Sequence, residues 1–297
     1  MGVCALTIVI CVFVFVLTPL TVGALLAIHL SRPKNQKYQD QYFFTPFETG
    51  VPFEKISFTT RNGVELRGWW LQGCGSQTVV GLNGRMGTKS DLLGVGSYLN
   101  RAGFSVLLFD YRGCGESMRA TMSMGQLERA DVTTAVEYVL SRIPTARIGI
   151  IGFSLGASLG VVTAASDDRV RALVADSPFS SSEGIVLNRL KRLLPLPLTL
   201  VRLWTRWWTK ILYRYDSVGL DVVGAAERIS DTRLLFVISG QDSVIPPEDQ
   251  RRVARAASED ARVWEHTEVD HCGAYFADRE GYVDTIISFF NDALAQP

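Results

Sequence analysis

Several things are missing from this 297-residue chain, and each absence excludes a class of protein. There is no net formal charge: 30 Lys plus Arg stand against 30 Asp plus Glu. A dedicated nucleic-acid binder would carry a basic excess. Charged residues make up only 20% and hydrophobic residues 47%, the reverse of an intrinsically disordered chain. The five cysteines are odd in number and include no Cys-x-x-Cys pair, which argues against a disulfide framework and against a zinc site. No histidine pair has zinc-ligand spacing, no Gly-Lys-Ser/Thr loop is present, and the glycines at 152, 156 and 160 lack dinucleotide spacing. The expectation is chemistry without metal or cofactor. With only His29, His266 and His271 available, histidine-based catalysis has few candidates.

Charge is also missing from the first thirty residues: Met1–Leu30 holds no Asp, Glu, Lys or Arg. At ~1.5 Å per residue such a helix crosses a hydrocarbon core of about 30 Å. A cleaved signal peptide is the alternative, and the small residues Gly23, Ala24 and Ala27 keep it open. Against it stand the lack of a basic start and an apolar run longer than the usual ~7–15 residues. Arg32, Lys34 and Lys37 follow the span, while only the terminal amine precedes it. The positive-inside rule then puts the following domain in the cytoplasm behind a single-pass anchor, a compartment that also suits unpaired Cys74, Cys114 and Cys272. The Met1-Gly2-Val3-Cys4 start hints at acylation, but Leu6 occupies the Ser/Thr position of the myristoylation pattern.

The polar, proline-punctuated stretch 31–52 reads as a linker. After it, Glu54–Thr60 and Glu65–Leu71 flank Asn62-Gly63 and predict a β-hairpin. Apolar strands follow at Thr78–Leu82, Ser105–Asp110, Arg147–Gly152, Val170–Asp176, Arg233–Ser239 and Val263–Thr267. Helical patterns alternate with them: from Ser90 or Asp91 as caps to Ala102, then Leu127–Ser141, Leu155–Ala165, Pro247–Ala257 and Tyr282–Leu294. Continuous apolar strands, each followed by a helix, imply an α/β domain over 53–297 with a mostly parallel sheet covered on both faces.

One stretch breaks the rhythm. Between Gly184 and Tyr215 there is no acidic residue, while Arg189, Lys191, Arg192, Arg202, Arg206, Lys210 and Arg214 are basic and Trp204, Trp207 and Trp208 are grouped. Pro195 and Pro197 divide it into two short helices. In the second, Arg202, Arg206, Lys210 and Arg214 recur every four residues as one stripe. The stretch, set as an insertion at 180–217, reads as a helical lid. Its stripe is expected either to touch an anionic membrane surface or to remain in water.

The chemistry centres on Gly152-Phe153-Ser154-Leu155-Gly156, which follows an apolar strand and opens a small-residue helix. In a Gly-x-Ser-x-Gly elbow the serine occupies a strained strand-to-helix turn, and its hydroxyl stands above the sheet edge. The helix start supplies N–H groups and a dipole that favours an oxyanion. A serine hydroxyl needs a base. His271, in the turn-like Val269-Asp270-His271-Cys272-Gly273, is that candidate; His266 lies within a strand and His29 within the span. Asp242, in Ser239-Gly240-Gln241-Asp242, follows a strand and completes the order serine, acid, histidine. Asp176 at the end of the preceding strand is a rival acid. Asp270 is too close in sequence to His271 to reach its ring easily, and Asp110 is expected to brace a turn.

On these residues the chain resembles the α/β-hydrolases of the serine-aminopeptidase-like group, close to membrane-anchored α/β-hydrolase-domain proteins. The likeness runs from Phe53 to Leu294. It rests on the leading hairpin, Asp110-Tyr111-Arg112-Gly113-Cys114-Gly115-Glu116-Ser117, the elbow, Asp176-Ser177-Pro178-Phe179, Ser239-Gly240-Gln241-Asp242 and the His271 turn. Such proteins carry His-Gly after the third strand; here Leu82-Asn83-Gly84-Arg85-Met86-Gly87 has asparagine instead. The resemblance implies oxyanion donors at the backbone N–H groups of Arg85 and Leu155, with Met86 as the alternative to Arg85. It also implies an ester or thioester substrate, small-molecule or lipid-like, attacked by Ser154 with His271 and Asp242. An aminopeptidase-like amide hydrolase is the enzymatic alternative, less favoured because no acidic patch is evident for a peptide amino terminus. A non-catalytic binding protein on the same fold is the other alternative, resting on Asn83 alone.

Overall fold

The computed structural model describes residues 5–7, 13–34, 44–185, 198–217 and 219–295. The division of the expected lid at Pro195 and Pro197 and residues 35–43 of the expected linker lie outside these residues, as do Gly2 and Cys4. The strands are β1 (Glu54–Thr59), β2 (Glu65–Leu71), β3 (Gln77–Leu82), β4 (Ser105–Phe109), β5 (Arg147–Phe153), β6 (Val170–Asp176), β7 (Arg233–Ser239) and β8 (Arg262–His266). They form one sheet in the order β1-β2-β4-β3-β5-β6-β7-β8. The β1–β2 and β2–β4 pairs are antiparallel and the remaining pairs parallel. The hairpin closes through a Thr60–Val64 loop, in which the Thr60 amide donates to the Val64 carbonyl and Gly63 adopts φ 81°.

The helices are α1 (Thr18–Ser31), α2 (Leu93–Arg101), α3 (Glu128–Arg142), α4 (Leu155–Ala164), α5 (Leu198–Tyr213), α6 (Val222–Ala226), α7 (Pro247–Ala256), α8 (Ala274–Ala277) and α9 (Arg279–Ala293). Strand side chains alternate between two cores, because successive residues point to opposite faces. Val80, Leu82, Leu107, Phe109, Ile148 and Ile150 pack with α3, α4, α6 and α7. Val79, Val106, Leu108, Ile151, Val174 and Val237 pack with α2 and α9. Burying each such side chain contributes roughly 1.5–3 kcal/mol, so a sheet covered on both faces explains why its strands read as unbroken apolar runs.

Two helix starts differ from expectation. α2 begins after Leu92 with no side-chain cap; the Asp91 carboxylate instead accepts from the Thr88 amide at 3.1 Å and closes the preceding turn. α9 begins three residues earlier than expected because the Asp278 carboxylate caps it, accepting from Gly281 at 2.9 Å.

The chain is helical and apolar from Phe13 to Ser31, 19 residues long. α1 packs along α5 through a seam of small residues. Pro19, Gly23, Ala27 and Ser31 are buried on one helix, and Val201, Thr205 and Thr209 on the other. A Cβ on Gly23 would stand 2.7 Å from the Trp204 Cβ and 2.9 Å from the Thr205 nitrogen, so only glycine permits this approach. The Trp208 indole donates to the Leu20 carbonyl at 3.2 Å, and Ser31 bonds Tyr215 at 2.9 Å. The basic stripe on α5 does not stand free. Arg202 pairs with Glu183, while Arg206 and Lys210 share Asp216 at 2.9 and 2.7 Å. These partners are the first acids on either side of the acid-free run. The face α5 exposes is mixed: Leu203, Trp207 and Ile211 stand beside Arg202 and Lys210.

Candidate active site

The parallel strands bring six carboxyl ends to one edge of the sheet. The registers pair Leu82 with Gly152, Phe153 with Asp176, Asp176 with Val237 and Ser239 with His266. Loops that leave such an edge converge on one site. Ser154 follows β5 at the middle of the sheet, with φ 55° and ψ −112°, a region that ordinary side chains avoid. The turn is feasible because its neighbours lack side chains. A Cβ on Gly156 would lie 2.0 Å from the Leu82 carbonyl oxygen, and one on Gly152 2.3 Å from the Gly156 carbonyl oxygen. Of the non-glycine residues with positive φ, Met86, Ser154 and Cys272 line the same cavity. Ser177, a fourth, accepts from the Cys272 amide at 3.2 Å. Strain of this kind collects where surrounding structure holds a functional geometry in place.

The His271 Nδ1 and Asp242 Oδ2 atoms are 2.6 Å apart. Asp242 is held from every side. Its Oδ1 accepts from the amides of Val244 and Ile245 at 2.8 and 2.7 Å, and its Oδ2 also accepts from the Gln250 amide nitrogen at 2.7 Å. Gln250 is fully buried, and its oxygen accepts from the Ser239 amide at 3.0 Å. This residue was not singled out from sequence, yet a glutamine beside Val253 and Ala254 on the buried face of α7 is the signal that marks it. These donors fix the carboxylate, and its oxygen accepts when the histidine ring carries its proton on Nδ1, the tautomer whose Nε2 can act as a base.

The rival acids have other work. Asp176 is fully buried, accepting from the Ser177 hydroxyl at 2.8 Å and the Tyr282 hydroxyl at 2.9 Å. Burial pushes its carboxyl up to about 6. Asp270 accepts from the Ser243 and His271 amides, both at 2.7 Å, and braces the loop rather than the ring. Those amides hold its carboxyl below the usual range. Asp110 accepts from the Lys89 amide and ammonium at 2.8 and 2.6 Å and from the Glu116 amide at 2.9 Å, so it braces a turn as expected. Arg112 is buried against Asp131 in a bidentate pair.

Near the elbow, a Cβ on Gly84 would lie 3.7 Å from the Ser154 Cβ, which places the Arg85 peptide beside Ser154. The Ser154 amide is spent on the Asp176 carbonyl at 2.9 Å, whereas no turn or cap bond takes the amides of Arg85 or Leu155 among the described residues. Asn83 is buried, and its side-chain amide donates to the Phe109 carbonyl at 2.9 Å. The asparagine thus ties this loop to the end of β4.

Ser154 and His271 open into a cavity of about 700 Å³, within the ~300–1,000 Å³ usual for ligand sites. Met86, Met124, Phe153, Phe179, Ile185, Val244 and Ile245 make most of the lining apolar. Among the described lining residues one carboxylate, Asp91, is present, turned toward the Thr88 amide, and burial raises its pKa. The cavity is also lined by Leu26, His29 and Leu30 of α1. Sequence had assigned His29 to the apolar span alone. His266, at the end of β8, lies beside Trp264 and is not in the lining. Among the described residues no cluster of His, Cys, Asp or Glu has the arrangement of a metal site.

Comparison with known proteins agrees with this architecture. The family described as alpha/beta hydrolase fold matches residues 77–195. The protein Rv2307c of Mycobacterium tuberculosis is 30% identical over 240 residues, which cover 78% of this chain and 77% of that one. The alpha/beta hydrolase domain-containing protein WAV2 of Arabidopsis thaliana is 26% identical over 220 residues, 69% of this chain and 67% of that one. Among solved structures, the esterase Pf2001 of Pyrococcus furiosus superposes with a TM-score of 0.72 at 21% identity, covering 90% of this chain and 99% of that one.

Proposed function

The chain belongs to the α/β-hydrolase superfamily, and from that premise we propose that it is a membrane-tethered serine hydrolase cleaving carboxylic ester or thioester bonds through an acyl-enzyme on Ser154. The observation that carries this reading is the 2.6 Å contact between His271 Nδ1 and a buried, fully coordinated Asp242, in the cavity that Ser154 also lines. His271 Nε2 takes the Ser154 proton as the oxygen attacks the substrate carbonyl carbon. The resulting oxyanion is stabilised by the N–H groups of Arg85 and Leu155. Collapse breaks the bond to the alcohol or thiol, which leaves with the proton from His271. Water then gives a proton to the same nitrogen as it attacks the acyl-enzyme, and collapse of this second intermediate releases a carboxylic acid while His271 returns the proton to the Ser154 oxygen.

The apolar lining favours an acyl chain over a peptide amino terminus. Among the described residues Asp91 is the only carboxylate in it and is already engaged. The charge-free helix ending at Ser31 supplies the tether, and Arg32 and Lys34 after it favour a cytoplasmic catalytic domain. The test is covalent labelling of the full chain with a fluorophosphonate probe, alongside hydrolysis of a short nitrophenyl ester. Ser154→Ala should abolish labelling and lower turnover by about 10³-fold or more at unchanged melting temperature. An unlabelled but folded wild-type protein would overturn the reading.

A further inference from the structure

We propose that the N-terminal helix is part of the substrate site as well as a tether: Leu26 and Leu30 form an acyl-chain wall, and the substrate is a membrane-resident acyl ester that reaches Ser154 laterally from the bilayer. This inference rests on the serine hydrolase reading and names its substrate class.

The helix divides its surface among three tasks. The stripe Gly23, Ala27, Ser31 is the seam against α5. Leu26 and Leu30, one turn apart, line the cavity that holds Ser154 and His271. Leu25 and Ile28 are exposed, as are Phe13–Leu17 before them. An anchor that only held the domain near a membrane would need no face turned into the catalytic cavity.

That wall is fixed to the catalytic loop. The Arg85 guanidinium donates to the His29 carbonyl at 3.2 Å, satisfying one of the carbonyls that a helix leaves open at its end. The backbone of the same residue is the proposed oxyanion donor. The Ser31 carbonyl accepts from the Met122 amide at 3.1 Å, and the Ser31 hydroxyl bonds Tyr215. The final turn of the helix therefore has one position relative to the nucleophile.

The span sets where the cavity lies. Nineteen helical residues from Phe13 to Ser31 reach roughly 28 Å at ~1.5 Å each. A helix that fills the hydrocarbon core with this stretch has Leu30 at the membrane boundary and Leu26 one turn, about 5 Å, deeper. Leu203, Trp207 and Ile211, spaced by four on the outer face of α5, extend the apolar surface beside it. An acyl chain leaving water for such a wall gains about fourfold per buried methylene. A chain already in the bilayer moves between two apolar surroundings and meets no desolvation barrier at the opening.

The experiment uses the full chain in phosphatidylcholine vesicles and nitrophenyl esters from acetate to laurate. Wild-type kcat/KM should rise with chain length. Leu26→Trp and Leu30→Trp should each lower the laurate-to-acetate ratio at least tenfold, while Leu25→Trp, on the exposed face, should leave the ratio within twofold. Umbelliferyl palmitate dissolved in the vesicles should be hydrolysed at least tenfold faster than the same amount carried on albumin. Because a tryptophan variant can fail to fold, a second measurement uses wild-type protein. A twelve-carbon fluorophosphonate with a terminal diazirine should crosslink to the peptide containing Leu26–Leu30. Unchanged ratios in folded, labelled variants, crosslinks only to residues elsewhere, or equal rates from vesicle and albumin would overturn the proposal. Failure of the wild type to react with any fluorophosphonate would instead overturn the serine hydrolase reading beneath it.

Discussion

The cavity has two walls of opposite construction. On the sheet side, His271, Asp242, Gln250, Ser239, Ser177 and Asp176 form a continuous set of hydrogen bonds between 2.6 and 3.0 Å, much of it buried. On the helix side, α1 meets α5 through glycine, alanine, threonine and valine, with bonds at Trp208–Leu20 and Ser31–Tyr215. Hydrogen bonds are directional and costly to leave unmade when buried, so the first wall fixes atoms to within tenths of an ångström. Dispersion contacts are short-ranged but indifferent to direction, so the second fixes a surface and its shape. The difference matches the two demands of the proposed reaction: proton transfer tolerates little displacement, whereas an acyl chain needs only a wall of the right depth.

The largest effect should come from breaking the polar wall at its acid. Asp242→Asn keeps the shape but can no longer accept the Nδ1 proton as an anion, so the ring is held in the wrong tautomer. Turnover of a short ester should fall by about 10³–10⁴-fold, read by steady-state kinetics with melting as the folding control. A loss under tenfold would mean that the sheet wall does not set the chemistry. Gln250→Ala tests the next layer. It removes one donor to Asp242 and leaves the Ser239 amide without an acceptor, so the protein should lose about 1–3 kcal/mol of stability. In kinetics kcat should fall roughly tenfold with KM little changed, because Gln250 positions the acid without touching substrate. An unchanged kcat would show that the Val244 and Ile245 amides suffice to hold Asp242.

The two walls were also unequally legible in the sequence. Strands buried on both faces read directly as apolar runs, and the elbow, acid and histidine fall in the loops at one sheet edge, so local pattern and topology reinforce each other. α1 offers no such pattern. When every residue is apolar, the side toward a cavity, toward α5 or toward lipid has the same composition, and Leu26 is distinguished from Leu25 only by its surroundings. The partners of the stripe on α5 were hidden in the sequence for a related reason. Its counter-charges, Glu183 and Asp216, bracket the acid-free run, and the pairing depends on how the chain turns there. The Arg206 guanidinium, then Lys210, holds the Asp216 carboxyl down to about 2. Ser90 and Asp91 looked like caps because capping oxygen and turn oxygen are the same chemistry; which amide Asp91 meets was decided by the Thr88 turn.

The smallest effect concerns Asp176, and it sharpens the comparison because the residue sits in the polar wall without touching the histidine ring. Asp176→Asn should lower turnover less than tenfold, since Ser177 and Tyr282, rather than His271, are its partners. Its signature is in stability against pH. Complete burial raises the folded-state carboxyl to about 6, despite the opposing bonds from Ser177 and Tyr282. The unfolded chain should titrate near the ordinary ~3.9. Between roughly pH 4 and 6 the folded protein therefore keeps a proton that the unfolded chain has lost, and stability must fall as pH rises through that window. Above about 6 the cost of the buried anion is fully present. Asparagine has no such proton, so the wild type should lose stability relative to Asp176→Asn from pH 4 to 6 and then run parallel to it. Asp131, also raised to about 6 by burial against its pairing with Arg112, contributes the same slope to both proteins and cancels in the difference. Urea unfolding at half-unit pH steps reads the effect. Curves parallel from pH 4 to 7 would mean that the hydrogen bonds of the polar wall offset the burial of this carboxylate completely.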